Sequence, residues 1–330
     1  MAAGSTDRKI DKLIHLMVKN ATVVVPGPKI AAEVGVTRAT VWQYIEKLRA
    51  LGVEIKGHHS TGYQLQRLPD ILAPSLIKPE LGDNQIGAHI VHYFRADSTN
   101  SVALHLAAKG AAHGTVVLAE EQTAGRGRLG RAWYSEKSSG IYVSVILRPP
   151  LAPSAASVLT LMAGVAAHQA ISSVTGLPVD IRWPNDLLVN GKKVCGILTE
   201  MNAELDRLHA VVLGFGINVN HAAMPAELKS VATSLRIEAG KPCSRAQTLV
   251  ALLRELERKY ALLLDEGGAA IVRRWSSASS FAEGKRIRVL TPTGEFQATT
   301  VGLEPSGALR VRRDDGRVEL LVAGEIVEVK

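Results

Sequence analysis

Cysteine is scarce in this 330-residue chain, which has only Cys195 and Cys243, and the two form no C-x-x-C pair. This excludes a disulfide scaffold and a cysteine-based metal cluster, and it favours a reduced, cytoplasmic protein. Long apolar runs are missing as well, since the best candidate, residues 158–174, is interrupted by glycine, histidine and glutamine. The polar N-terminus lacks the apolar segment of a secretory signal. We therefore expect no contact with a membrane.

The motifs of metal and nucleophilic catalysis are absent too. The ten histidines form no H-E-x-x-H motif, and the chain has no G-x-S-x-G turn and no paired-carboxylate motif. We expect neither a metal held by a protein ligand set nor a protein nucleophile. Catalysis in such a chain depends on positioning the reactants and on stabilising the charge that develops between them.

The positive charge is concentrated near the N-terminus. Residues 1–67 hold ten Lys/Arg and five Asp/Glu, and so carry +5 of the formal net charge of +8. A small basic module can bind a polyanion, although a solvated surface has the same composition. The chain as a whole is 46% hydrophobic and 21% charged, which is typical of a globular protein, and its length predicts two or three domains.

Apolar spacing in this basic segment predicts a winged helix-turn-helix. A helix over 7–19 precedes two short helical patterns, 29–34 and 37–51, joined at Gly35, where a tight turn needs a positive φ. Two short alternating runs then predict the wing. The second short helix is the expected DNA reader, with five side chains predicted on its exposed face: Arg38, Thr40, Gln43, Tyr44 and Lys47. A small helical bundle used only for packing is the alternative.

The whole chain is predicted to be an α+β protein of three domains. They are a winged helix-turn-helix at 1–67, a central domain at 68–280 and a C-terminal domain at 281–330. In the central part, helices alternate with hairpins such as the one at Asn190-Gly191, which predicts a mixed or mainly antiparallel sheet with helices on one side. Five short strand-like runs at the end of the chain predict a small SH3-like barrel.

The first segment with chemical content is a loop, GRGRLGR at 125–131. It matches G-x-G-x-x-G, but no helix follows directly, so it is not a dinucleotide fingerprint, and it lacks the G-K-[ST] of a P-loop. Three arginines among three glycines predict a hinged loop that closes over phosphate or carboxylate. We expect this arginine loop to become ordered when it holds an anion, because ordering it alone costs entropy.

Three further segments carry polar or small residues at strand ends: RWPND at 182–186, Lys193 with the nearby Gly196, and GFGIN at 214–218. Each is a weak signal alone, since the first also fits a turn and a lone lysine usually lies on the surface. Together with the arginine loop they supply phosphate-binding cations without a nucleophile. That combination favours phosphoryl or nucleotidyl transfer.

In this order, the segments resemble the biotin–protein ligases. The resemblance rests on GRGRLGRAW, RWPND, Lys193 with GIL and Glu200, and GFGIN, while DSTN at 97–100 and Gln122 sit where that family keeps biotin contacts. The N-terminal helix-turn-helix makes the chain similar to the bifunctional class, the biotin operon repressors. The resemblance covers essentially the whole chain and implies a class II synthetase-like central sheet with helices.

The resemblance implies an activity in two steps. Biotin and ATP, with Mg²⁺ arriving on the ATP, give biotinyl-5′-AMP, and biotin then passes to one lysine of the biotin carboxyl carrier protein, a subunit of acetyl-CoA carboxylase. It also implies operator DNA as a partner and biotin-responsive repression of biotin synthesis genes.

The implied site residues fall into three groups. Those implied to be catalytic are Lys193, Arg126, Arg128 and Asp186. Those implied to bind biotin are Ser98, Thr99, Asn100, Gln122, Arg126, Gly127, Arg128, Lys193 and Gly196. Those implied to bind ATP or the adenylate are Arg126, Arg128, Arg131, Trp133, Asn185 and Asn218. One position departs from the family: Arg182 stands where a lysine is usual, so a planar fork replaces a point-like ammonium.

The adenylate is also expected to control assembly. One helix-turn-helix reads a half-site only, so operator binding needs two copies. Ordering the arginine loop beforehand lowers the entropic cost of pairing. We therefore expect biotinyl-5′-AMP to promote a homodimer through the central domain, with the carrier protein competing for the same face.

Three other functions fit parts of the sequence. They are a ligand-sensing DNA-binding protein without turnover, a lipoate ligase or acyltransferase on the same fold, and a ligase whose DNA-binding domain does not regulate. The arginine loop and Lys193 argue against a pure sensor, which needs no phosphate-gripping loop. The GRGRLGR sequence favours biotin over lipoate.

Overall fold

The computed structural model describes residues 5–21, 23–67, 70–204, 208–291 and 294–329. Its helices are α1 (Ser5–Lys19), α2 (Gly27–Val34), α3 (Arg38–Arg49), α4 (Pro74–Leu81), α5 (Thr99–Ala108), α6 (Ala156–Thr175), α7 (Leu235–Ala239), α8 (Arg245–Glu266) and α9 (Gly268–Ser277). Its strands are β1 (Ile55–His58), β2 (Gly62–Leu65), β3 (Ile90–Tyr93), β4 (Thr115–Ala119), β5 (Gly140–Leu147), β6 (Val179–Arg182), β7 (Asp186–Val189), β8 (Lys192–Ala203), β9 (Leu208–Asn218), β10 (Glu283–Thr291), β11 (Gly294–Leu303), β12 (Leu309–Arg313), β13 (Val318–Leu321) and β14 (Glu325–Glu328).

The N-terminal helices and the hairpin β1–β2 form the predicted winged helix-turn-helix. Helix α2 ends at Gly35, whose φ of 72° is left-handed, and the Thr37 hydroxyl caps α3 by accepting the amide of Thr40. One expectation was wrong: Tyr44 is buried, not exposed. It lies three residues after Val41 and four before Leu48, so the helical repeat places it on the inner face.

The central sheet has the strand order β3-β4-β5-β9-β8-β7-β6, and among its described strand pairs β3–β4 is parallel while the other five are antiparallel. The mixed, mainly antiparallel sheet is thus confirmed, as is the hairpin between β7 and β8, where Asn190 and Gly191 have φ of 50° and 75°. Helices α6, α8 and α9 cover one face. The expectation of helices on one side only was wrong, because α5 covers the other face. The inner strands are apolar along their length and need cover on both faces.

The longest apolar helix of the central domain is α6. With the turn before it, it is long and apolar enough to cross a membrane by length and composition alone. In the fold its residues pack against the sheet and against α8 and α9. That is the environment of a core helix in a three-layer domain.

The C-terminal strands form the expected five-stranded antiparallel unit, in the order β13-β12-β11-β10-β14. It is fixed against the central domain by polar contacts. The buried indole of Trp183 donates to the carbonyl of Gly307 at 3.1 Å, and Arg131 pairs with Glu325 at 2.9 Å. The unit therefore has a defined position beside β6 and β7.

A buried ion cluster joins the segment after the winged helix-turn-helix to the central sheet. Arg245 and Glu120 are both fully buried, with Nη1 and Oε2 2.8 Å apart. Arg245 also binds Asp70, while the other oxygen of Glu120 accepts from the amide of Leu72 and from His92. Burial alone raises the pKa of Glu120, but Arg245, His92 and the Leu72 amide lower it to about 2.

Breaking this cluster is expected to destabilise the chain strongly. Arg245→Ala leaves the Glu120 carboxylate buried without its cation, which costs about 3–5 kcal/mol. Arg273→Ala, which removes an exposed pair with Glu266, costs less than about 1 kcal/mol and serves as the control. Urea unfolding measures the loss of stability in both variants.

Because the pKa of Glu120 is depressed, the stability that the cluster contributes is complete above the ordinary pKa of 4.5 and is lost as the pH falls towards 2. Equal urea midpoints for the two variants at pH 7 would show that the cluster is dispensable.

Candidate active site

The floor of the site is made of small residues on the α5 face of the central sheet. Gly196 on β8 pairs with Gly216 on β9, and Gly214 pairs with Ser144 on β5. A Cβ at Gly214 would overlap the amide of Asn100, and one at Gly216 would overlap the indole of Trp133. Because Gly214 and Gly216 have no side chain, Asn100 and Trp133 can lie directly against the sheet.

The residues expected to bind biotin meet at the start of α5. Ser98, Thr99 and Asn100 are each 4% exposed. The Gln122 side chain accepts from the amide of Thr99 at 2.8 Å and from its hydroxyl at 3.2 Å. Asn100 donates to the carbonyl of Leu198 at 3.2 Å. Thr99, Asn100 and Gln122 are therefore held by side-chain hydrogen bonds and, with the buried Ser98, form one wall beside the glycine floor.

Two residues that hold this wall were missed as site residues. Ser144 is fully buried and its hydroxyl lies 2.6 Å from Oδ1 of Asn100 and 2.8 Å from the hydroxyl of Thr99. Glu200 accepts from Nδ2 of Asn100 at 2.7 Å. The sequence signal for Ser144 was a single polar residue inside the apolar strand GIYVSVIL. Glu200 belongs to the motif after Lys193, but the motif alone does not predict this contact.

The arginine loop spans the site from α5 to the C-terminal sheet. Arg126 donates to the hydroxyl of Ser101 at 3.1 Å and lies 3.5 Å from Glu200. Arg128 donates to the side-chain oxygen of Asn185 at 3.3 Å and to the carbonyl of Gly324 at 3.1 Å. Leu129, at the tip of the turn, has a φ of 56° and is 74% exposed.

The rest of the loop is closed by backbone hydrogen bonds. The amide of Gly127 donates to the carbonyl of Arg131 at 2.7 Å, and the amide of Trp133 donates to the carbonyl of Gly125 at 2.9 Å. The guanidinium of Arg131 points outward to the C-terminal sheet, where it pairs with Glu325. Arg126 and Arg128 are thus the arginines that border the pocket.

Lys193 and Asp186 form the charged centre of the site. The Lys193 ammonium lies 2.5 Å from Oδ1 of Asp186, and Arg182 holds Oδ2 at 2.7 Å. Burial alone raises the pKa of Asp186, but Lys193 and Arg182 outweigh it and lower that pKa. The Lys193 ammonium also lies 5.3 Å from the ring centre of Trp133. Arg182 thus supplies a second cation to this partly buried carboxylate, as a planar guanidinium in place of the ammonium of a lysine.

A segment that sequence reasoning missed, residues 231–233, runs beside Lys193 as a parallel β-bridge. The amide of Lys193 donates to the carbonyl of Val231 at 2.9 Å, and the amide of Thr233 donates back to the carbonyl of Lys193 at 3.0 Å. Asn218 uses its side-chain amide to hold the carbonyl of Thr233 at 3.0 Å. Asn218 therefore anchors this segment, and the 58% exposed Val231 lies next to Lys193.

The described part of the chain offers no ready metal site, since it contains no group of three or more His, Cys, Asp or Glu placed to hold an ion.

The predicted DNA-contacting residues lie apart from this site, on α3. Among them Arg38, Gln43 and Lys47 are exposed, and the Lys47 ammonium lies 4.3 Å from the ring centre of Phe94. Trp42, which was not predicted, is 56% exposed on the same helix.

Comparison with known proteins assigns the family. Residues 92–218 match the Biotin/lipoate A/B protein ligase family, 10–64 an HTH domain, and 284–327 the Biotin protein ligase C terminal domain. The Bifunctional ligase/repressor BirA of Bacillus subtilis is 38% identical over 94% of this chain and 96% of its own length. The chain belongs to the biotin–protein ligase family.

Solved structures of biotin–protein ligases share the fold. The ligase from Aquifex aeolicus, in complex with biotin and ATP, has a TM-score of 0.64 and 27% identity over 74% of this chain and 99% of its own. The ligase from Leishmania major, in complex with biotinyl-5-AMP, has a TM-score of 0.50 and 26% identity over 72% of this chain and 99% of its own. Each of these ligases aligns over 99% of its own length, so this family member shares the fold of their aligned parts. About a quarter of this chain lies outside each alignment.

Proposed function

We propose that the chain joins biotin to ATP and transfers the biotinyl group to a lysine of the biotin carboxyl carrier protein. The observation that carries this proposal is the partly buried Lys193–Asp186–Arg182 cluster, which adjoins the arginine loop through the hydrogen bond from Arg128 to Asn185. A biotin carboxylate and an ATP α-phosphate both need cations in the place where they meet. Family membership and the solved relatives with biotin, ATP and biotinyl-5-AMP support the same reading.

The first step forms a mixed anhydride. A carboxylate oxygen of biotin attacks the α-phosphorus of ATP, the bond to the β-phosphate oxygen breaks, and pyrophosphate leaves. Lys193 neutralises charge on the carboxylate and the α-phosphate, and Asp186 fixes the ammonium that does so. Arg126 and Arg128 hold the phosphate, while Trp133 closes the side of the adenine.

The second step transfers the biotinyl group. The acceptor amine attacks the anhydride carbonyl, the bond from the carbonyl carbon to the phosphate oxygen breaks, AMP leaves, and the amine loses a proton. Asn185 and Asp186 border the path of the incoming lysine. The amide of Asn185 is fixed by a 2.7 Å bond to the carbonyl of Ile197, so its oxygen is presented to the arginine loop.

We propose that Mg²⁺ is held chiefly by the phosphates of ATP. The partly buried carboxylate of Asp186 already shares its two oxygens between Lys193 and Arg182. Mg²⁺ often keeps several waters and binds substrate phosphates with one or two carboxylates. When bound, it supplies charge neutralisation on the leaving pyrophosphate.

Biotin-dependent exchange of labelled pyrophosphate into ATP tests the first step directly. We expect exchange with biotin and ATP and little with lipoate. Exchange that depends on lipoate instead would favour the lipoate ligase alternative. If the chain binds biotin but catalyses no exchange with either acid, the result would favour a ligand sensor without turnover.

The arginine loop is expected to retain the adenylate as well as help to form it. Arg128→Gly removes the guanidinium that bridges Asn185 and Gly324, so biotinyl-5′-AMP escapes and labels bystander lysines without selection. Mass spectrometry of albumin added to the reaction measures this labelling. Arg273→Gly, at an exposed position on α9, is the control. Limited proteolysis after Arg126 or Arg128 should also fall when biotin and ATP are added. If Arg128→Gly labels albumin no more than the unchanged chain does, Arg128 does not retain the adenylate.

We further propose that the chain is a cytoplasmic, biotin-responsive repressor. The HTH match, the basic N-terminal segment and the name of the Bacillus subtilis relative support DNA binding. Biotinyl-5′-AMP promotes a homodimer through the central domain, and the carrier protein competes for that state. Sedimentation with and without biotin and ATP measures the dimer. A chain that stays monomeric in both states would remove the repressor half of the proposal and leave the ligase half.

Operator recognition is expected to depend on the exposed side of α3. Gln43→Ala removes a side chain able to bond an adenine edge, which costs about 1–3 kcal/mol at the cognate site. Gln247→Ala, at an exposed position on α8, is the matched control. Titration of promoter DNA and of shuffled DNA separates specific from general loss. An unchanged preference for the promoter would exclude Gln43 as a reader.

A further inference from the structure

The carboxylate of Glu200 stands between the biotin wall and the arginine loop. Side chains two and four residues apart share one face of a strand, so β8 presents Glu200 on the same face as Gly196. Its Oε2 accepts from Nδ2 of Asn100 at 2.7 Å, and its Oε1 lies 3.5 Å from the guanidinium of Arg126. The reaction steps proposed above assign no role to this anion.

Glu200 fixes the orientation of the Asn100 amide. Carboxylate and carbonyl oxygens can only accept hydrogen bonds, and the two hydrogens of Nδ2 go to Glu200 at 2.7 Å and to the carbonyl of Leu198 at 3.2 Å. The contact with the carboxylate is the shorter of the two and is charge-assisted, so it is the stronger. Oδ1 must therefore face the other way, towards Ser144, and the Asn100 side chain can offer a ligand only an acceptor.

The same direction passes on to the next two side chains of the wall. Because Oδ1 of Asn100 can only accept, the single hydrogen of the Ser144 hydroxyl must point to it across 2.6 Å. The oxygen of Ser144 then accepts from the Thr99 hydroxyl at 2.8 Å, which shares its one hydrogen with Gln122 at 3.2 Å. Thr99 is thus left with lone pairs and no free hydroxyl hydrogen, as Asn100 is left with Oδ1.

Two adjacent acceptors of this kind favour a ligand ring that carries N–H groups. The ureido ring of biotin has two of them, whereas the dithiolane ring of lipoate has none. A site built to hydrogen-bond a substrate N–H discriminates against an analogue that lacks it, because its own polar groups are then left unpaired.

We propose that Glu200 is a positioning residue that determines specificity for the ureido ring. It fixes the direction of the hydrogen bonds through Asn100, Ser144 and Thr99, and so keeps this end of the wall an acceptor for ureido N–H groups. This inference rests on the proposed function, since it requires that biotin binds against this wall.

Calorimetric titration with two variants and two kinds of ligand tests the role. The ligands are biotin and its derivatives methylated at one or the other ureido nitrogen. In the unchanged chain we expect methylation of at least one nitrogen to weaken binding about 10-fold or more. Glu200→Leu leaves the Asn100 amide free to turn, so we expect biotin to bind about 10-fold more weakly and the effect of that methyl group to shrink to about 3-fold or less. A purely steric effect of the methyl group would persist in this variant.

The conservative variant supplies the rescue. Glu200→Gln still offers a carbonyl oxygen to Asn100, and the carbonyl of Leu198 favours the same amide orientation. We expect biotin affinity and the effect of methylation to stay within about 3-fold of the unchanged chain. The matched control is Glu319→Leu on β13, which removes a strand glutamate paired with Arg313 at 2.6 Å and should change neither quantity.

Reversing the direction of one hydrogen bond gives a second readout, with side chains of nearly unchanged size. Asn100→Asp sets acceptor against acceptor at both Glu200 and Leu198, so biotin affinity should fall about 10-fold or more. Adding Glu200→Gln supplies an N–H to the new carboxylate and should recover about 5-fold of that loss. A residue that merely supports the fold would give no such recovery.

The outcomes separate this proposal from the proposed function. An undiminished effect of methylation in Glu200→Leu, the same loss in Glu200→Gln as in Glu200→Leu, or no recovery in the double variant would each overturn the role of Glu200. If the unchanged chain neither binds biotin nor catalyses biotin-dependent pyrophosphate exchange, the proposed function itself fails.

Discussion

Replacing Lys193 by alanine is expected to slow formation of biotinyl-5′-AMP by roughly 10²–10³-fold. The ammonium lies 2.5 Å from Asp186 and above the glycine floor, where the carboxylate and the α-phosphate meet in the proposed reaction. Its effect is greatest on the charge that develops during attack, so affinity for ATP should change much less than the rate. Single-turnover adenylate formation and ATP binding by calorimetry measure the two effects separately.

The neighbouring lysine provides the matched control for this experiment. Lys192 is exposed at the start of β8, so Lys192→Ala should leave adenylate formation unchanged. In the Lys193→Ala chain, Asp186 keeps its pair with Arg182, so the fold should persist. Near-normal adenylation by Lys193→Ala would exclude Lys193 from the reaction. Equal loss of rate and of ATP affinity would assign it to binding alone.

Gly214→Ala is expected to weaken biotin binding by about 5-fold to 150-fold, the equivalent of 1–3 kcal/mol of overpacking. Its new methyl group would overlap the amide of Asn100, which is held by Ser144 and Glu200. Asn100 would have to leave the wall that it shares with Thr99. Calorimetric titration with biotin measures the change.

A second glycine separates this local clash from a general effect of alanine. Gly164 lies inside α6, where a Cβ would sit 3.6 Å from Ile181 in ordinary contact. Gly164→Ala should therefore stabilise the chain slightly or leave it unchanged, and biotin binding should persist. Equal affinities in the two variants would show that Asn100 is not part of the biotin wall.

Sequence reasoning succeeded where the signal is local. The left-handed turn at Gly35, the cap at Thr37 and the Asn190-Gly191 hairpin are each encoded within a few residues, and the structure has all three. The motif segments 125–131 and 182–186 likewise meet in one site. Local backbone chemistry determines the turn, the cap and the hairpin, whereas the meeting of the two motif segments followed from the resemblance to the family.

The contacts that it missed join residues far apart in the chain. Ser144 supports Asn100 across the sheet, and Arg131 reaches Glu325 in the C-terminal unit. Nothing near Val231 in the sequence indicates that its carbonyl accepts a hydrogen bond from the amide of Lys193. Tyr44 was misplaced because a polar tip suggested exposure, whereas its ring lies on the helix face that the core requires.

The intact mass of the carrier protein after incubation with this chain, ATP and biotin tests the central claim most directly. We predict a gain of one biotinyl group on one lysine, dependent on ATP and lost in Lys193→Ala. With lipoate in place of biotin we predict no gain. A carrier of unchanged mass after incubation with biotin and ATP, or one modified only with lipoate, would contradict the assignment of this site to biotin transfer.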